Sequence, residues 1–336
     1  MKVNLYPFLF EPNKFTLVWG SEDWDISAIP NKESIIANGP LKGKKLSQVV
    51  DDYAKRLMGR KVVEMYGKKF PLLVKFIDAK DDLSIQVHPN DELAMKRHGC
   101  LGKTEMWFVV DAQPDSYLYS GFNQPISKYE YEKRVEDGTI CEVLQRHNVR
   151  KGDVFFIPSG RVHAICGGIR LAEIQQSSDI TYRIFDYNRP GLDGKPRQLH
   201  VEEARDAIDF TMYPTYRTDY REVINKPVAI TESPYFTVKI HNITRSFHRK
   251  LFKYDSFIIY TCLSGNCIVK TRANSYFWLN PLNFKDAHRS CSVSLQAGQS
   301  CLVPASMADL DLIPDNESGV TELLEIYIDN KHFNKI

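Results

Sequence analysis

Four side chains in the first half of this 336-residue chain have types and spacing that suit a bound metal ion: Gln86, His88, Glu105 and His163. The run from Asp81 to Val110 reads DDLSIQVHPN, DELAMKRHGC, LGKTEMWFVV. In its first block Ser84, Gln86 and His88 alternate with Leu83, Ile85 and Val87, so a strand there puts the polar set on one face and the apolar set on the other. In its last block Lys103, Glu105 and Trp107 alternate with Thr104, Met106 and Phe108 in the same way. Two neighbouring strands of a barrel then aim a Gln, a His, a Glu and a Lys into one enclosed space, which is unfavourable unless those groups bind something. A third piece, RKGDVFFIPSGRVHAI from Arg150 to Ile165, adds His163 just past a second turn. Nitrogen and oxygen ligands from three strands suit a borderline-soft divalent ion such as zinc, one per chain, with a position left open for water or substrate. For any one of these residues the plain reading is a hydrogen-bonded core histidine or a surface glutamate. Matched strand parity and flanking Gly and Pro turns argue against that reading for the set.

The elements that must hold these residues are mostly strands. Lys151-Gly152-Asp153 forms a tight turn, Val154 to Pro158 a buried strand, and Val162 onward the next. Around them lie two helical blocks, at about 46–66 and 127–147. Leu46, Val49, Val50, Tyr53 and Leu57 define the apolar stripe of an amphipathic helix ending before Gly67. Ser127-x-x-Glu130 and Thr139-x-x-Glu142 read as two capping boxes, each opening a helix that could cover one mouth of a barrel. Farther on, Arg183 shares a strand face with Thr181 and Phe185, and if that face is interior it points a permanent cation at the site. The C-terminal third echoes the third piece: AGQSCLVPASMADLDL has the same Gly-to-Pro spacing, with Asp309 where His163 would fall, and no counterpart of the QxH or KTE wording. We therefore expect a mainly β protein with two jelly-roll barrels and helical insertions in the first. The division is a metal-binding domain over residues 1–215 and a degenerate β domain of the same kind over 216–336. His241, His248, His288 and His332 then read as surface or structural residues.

Composition excludes several classes. Net charge +2 and 12% aromatic residues favour neither disorder nor a nucleic-acid footprint. The opening MKVNLYPFLFEPNKF is broken by Pro7, Glu11 and Pro12, and no apolar run reaches membrane-spanning length, so a soluble cytoplasmic protein with neither membrane nor nucleic-acid partner is expected. The seven cysteines show neither a CxxC pair nor a disulfide-scaffold spacing, which leaves most of them as small buried hydrophobes.

Five stretches resemble the type I mannose-6-phosphate isomerases of the cupin superfamily, in the short bacterial form. They are FTLVWGSEDWDIS (Phe15 to Ser27), FPLLVKFIDAKDDLSIQVHPND (Phe70 to Asp91), GKTEMWFVVDA (Gly102 to Ala112), KGDVFFIPSGRVHAI (Lys151 to Ile165) and SDITYRIFDYNR (Ser178 to Arg189). The likeness runs to about Arg205 and thins beyond. It implies that the two jelly-roll barrels are of the cupin type, and zinc-dependent interconversion of mannose 6-phosphate and fructose 6-phosphate through a cis-enediol, with a sugar phosphate as the small-molecule partner. It also implies Arg183 as a catalytic residue, Lys103 as a contact to the sugar near the metal, and Trp19 and Trp24 as a wall of the sugar pocket. One departure is Ile29, where the family wording ISxHP has a histidine. The residues by themselves leave two other readings open: a non-haem iron oxygenase, marked by dependence on Fe(II) and dioxygen, and a sugar-phosphate sensor, marked by binding without turnover.

Overall fold

Alternating and continuously apolar runs rich in Val, Ile, Phe and Tyr form strands along most of the chain, and the fold is mainly β. The computed structural model describes residues 3–272, 290–307, 309–315, 319–329 and 331, and the expectations for His288 and His332 lie outside them. Two compact units emerge, and they interleave in sequence. One comprises residues 14–24 and 72–218, the other residues 1–13, 25–71 and 219–336. Compactness thus divides the chain differently from the contiguous split expected at 215/216. The reason is pairing: Phe8–Glu11 hydrogen-bonds to Ser300–Val303, nearly three hundred residues away, so the first strand belongs with the last third.

The unit holding residues 72–218 contains two antiparallel sheets. The six-stranded sheet runs Val154–Ile157, Glu105–Ala112, Ile169–Gln176, Leu72–Ala79, Gly20–Ile26, Asn13–Leu17. The five-stranded sheet runs Tyr182–Phe185, Ile85–Val87, His163–Ile165, Tyr117–Phe122, Leu144–Asn148. Ile77, Trp107, Phe155 and Leu171 of the first sheet pack with Leu118 and Ile165 of the second in one apolar core. On its other face the five-stranded sheet is covered by Tyr131, Ile140, Ala204 and Ile208, from the helices Lys128–Glu136 and Val201–Ala207 and nearby turns. The expected insertion at 127–147 therefore covers a sheet face. Only its first half is an α-helix. Ser127 caps it through Glu130 N, whereas Thr139 makes no side-chain cap, and Ile140–Val143 is a single 3₁₀ turn leading into the strand Leu144–Asn148. Alternating burial along LQRHN decides for strand there.

Among its described residues the other unit also has two sheets, of seven and four strands. Its helical block is broken into Leu46–Met58 and Arg60–Tyr66 at Gly59, whose φ of 97° suits glycine and where a Cβ would fall 1.9 Å from the Asp255 carbonyl oxygen. The segment that echoes the third piece forms Ser300–Val303, a 3₁₀ turn at Ala305–Met307, then Asp309–Pro314, with Asp309 paired to His248 at 2.6 Å. His241 is fully buried, 3.3 Å from Glu325, which Arg249 also grips, so its role is structural. Among the described residues no helix is long and apolar enough to cross a membrane, and no disulfide joins any two of the cysteines.

Candidate metal centre

His88, Glu105 and His163 come together from three strands or their ends, each fully enclosed. Their ligand atoms lie within 4.8 Å of one another. His88 Nε2 is 3.1 Å from Glu105 Oε1, His163 Nε2 is 3.8 Å from Glu105 Oε2, and the two imidazole rings are 4.8 Å apart. The far nitrogens fix the tautomers. His88 Nδ1 faces the Ile180 carbonyl at 2.9 Å and His163 Nδ1 the Arg161 carbonyl at 2.8 Å, and a carbonyl only accepts. Each Nδ1 therefore carries the proton, and each Nε2 presents a lone pair to the centre. Burial, with Lys103 adding to it, pushes His88 down to about 3, so the imidazole is neutral at physiological pH.

A lone pair on His88 Nε2 thus faces a carboxylate oxygen at 3.1 Å. Neither donates, and His88 Nε2 and Glu105 Oε2 are both buried without a hydrogen-bond partner. Two acceptors held together in a dry interior call for a cation between them. The residues therefore fit a metal ion, with two imidazoles and a carboxylate as donors. Gln86 completes the expected set: its Nε2 is 3.3 Å from His163 Nε2, opposite His163 in the register of the two strands. Its amide oxygen, on the same carbon, is the atom a metal would take.

Positive charge borders this group. Lys103 Nζ lies 3.2 Å from Glu105 Oε1. Burial alone would raise the Glu105 carboxyl, yet Lys103 and the two imidazoles hold it well below the ordinary range. Arg183 stands opposite Gln86 on the adjacent strand and so shares its face; its Nε donates to Ser84 Oγ at 3.3 Å and its Nη1 to the Gln198 carbonyl at 2.9 Å. Trp24 lies beside the centre's other cation, Lys75, whose Nζ is 5.8 Å from its ring. Trp19 instead packs in the apolar core with Ile77 and Trp107.

Close backbone approaches set these positions. The Gly160 amide bonds the His88 carbonyl at 2.9 Å, and the Lys103 amide bonds the Pro89 carbonyl at 3.1 Å. Gly102 passes so near the Pro89–Asp91 segment that a Cβ would lie 2.6 Å from the Asn90 carbonyl carbon. Asp91 Oδ1 receives both the Gly102 amide and Gln176 Nε2, tying the helix Asp91–His98 to the Glu105 and Ile169 strands.

Lys75 and Glu173, both buried, and the half-buried Glu22 escaped the sequence reading. Lys75 and Glu173 are cross-strand partners, and Glu173 also pairs with Trp107 on its other side, so Lys75, Glu173 and Trp107 share the inner face with Glu105. Lys75 Nζ is 3.1 Å from Glu173 Oε1 and 3.3 Å from Glu22 Oε2. Trp107 Nε1 donates to Glu173 Oε2 at 3.0 Å, and Trp24 Nε1 to Glu22 Oε2 at 2.5 Å. Burial raises Glu173 to about 7, with Glu105 adding to the rise and Lys75 opposing it. The signal was a buried charge in mid-strand, Lys75 in LLVKFIDA and Glu173 in IRLAEIQQ, with apolar neighbours on both sides.

Comparison with known proteins agrees with this geometry. A model of the type I phosphomannose isomerase catalytic domain matches residues 19–118. The mannose-6-phosphate isomerase ManA of Bacillus subtilis is 36% identical over 278 residues, 77% of this chain and 86% of its own. A mannose-6-phosphate isomerase of Streptococcus mutans is 34% identical over 249 residues, 73% of this chain and 75% of its own. The crystal structure of the mannose 6-phosphate isomerase from Bacillus subtilis superposes with a TM-score of 0.79 at 28% identity, over 95% of this chain and 99% of that one. With His88, Glu105 and His163 gathered in one enclosed interior and relatives matched over most of their length, the chain belongs to the type I mannose-6-phosphate isomerase family.

Proposed function

We propose that this protein is a zinc-dependent aldose–ketose isomerase that interconverts mannose 6-phosphate and fructose 6-phosphate through a cis-enediol(ate), working in the cytoplasm. The observation that carries the reading is the convergence of acceptor atoms, two of them orphaned, from His88, Glu105 and His163 in a chain of this family. Gln86, His88, Glu105 and His163 would hold the ion, and each pair of sheets would form a cupin-type barrel around its core. Bound there, zinc supplies Lewis-acid polarisation of the sugar oxygens without redox change.

This chain's own residues do the rest. Lys103 and Arg183 provide fixed positive charge where anionic oxygen develops, and cannot be replaced in that task by a neutral donor without loss. Isomerisation also moves a proton between adjacent carbons, which needs a base that both takes and returns it near neutral pH. Glu105 is unsuited, since Lys103 and the imidazoles hold its carboxylate ionised. Glu173 is suited: it lies on the same inner face and titrates at about 7, with Trp107 Nε1 fixing one oxygen. We assign it the proton transfer, with Lys75 balancing its charge.

The test is a coupled assay of fructose 6-phosphate formation from mannose 6-phosphate, on protein as purified, after chelation, and after zinc is restored. Activity lost on chelation and regained with zinc is the expected result. A folded, zinc-loaded sample that binds the sugar phosphate without turnover would make it a sensor.

A further inference from the structure

Two carboxylates share one buried cation in this interior, and only one of them has a task so far. Glu22 and Glu173 each approach Lys75 Nζ, at 3.3 and 3.1 Å, and each takes an indole N–H, from Trp24 and Trp107. We propose that Glu22 is a positioning residue for the isomerisation: by sharing Lys75 it leaves Glu173 only partly neutralised, and so keeps that carboxyl free to exchange a proton with the sugar. The inference rests on the reading of Glu173 as the base.

The asymmetry comes from what surrounds each group. One ammonium cannot neutralise two carboxylates, so the proton settles on the one with the poorer remaining environment. Glu22 has Lys75, the 2.5 Å indole bond and the field of Lys103, which together hold it below the ordinary carboxylate range although burial works the other way. Glu173 has the longer indole bond at 3.0 Å and also faces Glu105. The charged and titratable groups around Glu173 are thus Lys75 on the Leu72–Ala79 strand, Glu22 on the Gly20–Ile26 strand, and Glu105 with the preceding Lys103 beside the third. From the facing sheet comes His163, whose ring meets Trp107 at 5.2 Å. Lys75 itself stays protonated: burial opposes this, but Glu173, Glu22 and Glu105 outweigh it. Metal loading changes the Glu105 contribution in wild type and variants alike, so a comparison between them reports Glu22.

The substitution Glu22→Gln keeps an acceptor for Trp24 and removes the competing charge. Lys75 then serves Glu173 alone, and the acid limb of kcat/KM should move down by ~1 pH unit, the size expected for one nearby charge. The same shift should appear without turnover, as the buried carboxyl C=O infrared band that is absent in E173Q titrates at lower pH in E22Q. If E22Q does not fold, Glu22→Asp, which keeps the charge but withdraws it from Lys75, should place the limb between the two. A limb and infrared titration unmoved in E22Q, or in E22D where only that variant folds, would overturn the proposal while leaving Glu173 as base. An E173Q enzyme that still turns over with the wild-type acid limb would instead sink the reading beneath it.

Discussion

The chemistry of the site rests on which atoms are left with lone pairs in a dry interior. With the Ile180 and Arg161 carbonyls taking the Nδ1 protons, His88 Nε2 has nothing to do except bind a cation or clash with Glu105, and His163 Nε2 meets only the Gln86 amide before it reaches the same carboxylate. His88→Ala and His163→Ala should therefore each weaken metal binding by at least ~100-fold, beyond the loss typical of an outer-shell change, and abolish turnover. Metal analysis after dialysis, beside the isomerase assay, checks both. Retention of one metal per chain by either variant would refute the ligand assignment. Glu173 gives the pH dependence. Burial and the Glu105 charge raise its carboxyl from an ordinary 4.5 toward about 7, and a cation at Glu105 draws it part of the way back, so kcat/KM should climb between about pH 4.5 and 7 in wild type and that limb should vanish in E173Q. The linked effect on stability has the opposite sign for the enzyme's benefit. Folding favours the protonated form, so this group's contribution is full below about 4.5 and is lost as pH rises through about 7.

At the level of elements, the site depends on backbone segments brought closer than side chains permit. Gly102 lets the Glu105 strand enter beside Pro89–Asp91, and its amide bonds Asp91 Oδ1 at 2.7 Å. Gly102→Ala places a Cβ 2.6 Å from two backbone atoms there, which must separate, at a cost of about 3 kcal/mol by the measure of overpacked interiors. Urea unfolding should show that loss, together with weaker metal binding, because Lys103 and Glu105 shift with the strand. An unchanged midpoint would mean the segment gives freely. The helix Leu46–Met58 was legible from its apolar spacing, but its stop at Gly59 was set by the Asp255 carbonyl, which lies far away in sequence. The Thr139–Glu142 pattern carried a local helix signal that the strand pairing of Leu144–Asn148 with Tyr117–Phe122 overrode.

For the whole molecule, the interleaved units matter most. Phe8–Glu11 lies between Ile35–Ile36 and Ser300–Val303 and takes its second partner strand from the last third, and the carboxylate of Asp255 accepts from the Arg60 amide at the start of the second helix. A chain cut after residue 215 lacks both partners. Such a fragment should be recovered largely insoluble or with poorly dispersed amide resonances over its first seventy residues, even though every candidate ligand is present. A soluble, metal-binding fragment with native dispersion there would show that those residues fold without the last third.

The convergence of His88, Glu105 and His163, the family and the mainly β fold were legible in the sequence because they rest on local facts: strand parity, turn residues and distinctive wording around those residues. Tertiary structure alone decided which lone pairs are orphaned, that Lys75 is shared by Glu22 and Glu173, and that the first strand belongs with the last third. Each of these depends on distances between residues far apart along the chain. A pattern of period two fixes the face a side chain takes, but not which strand lies beside it or what charge it meets across the core.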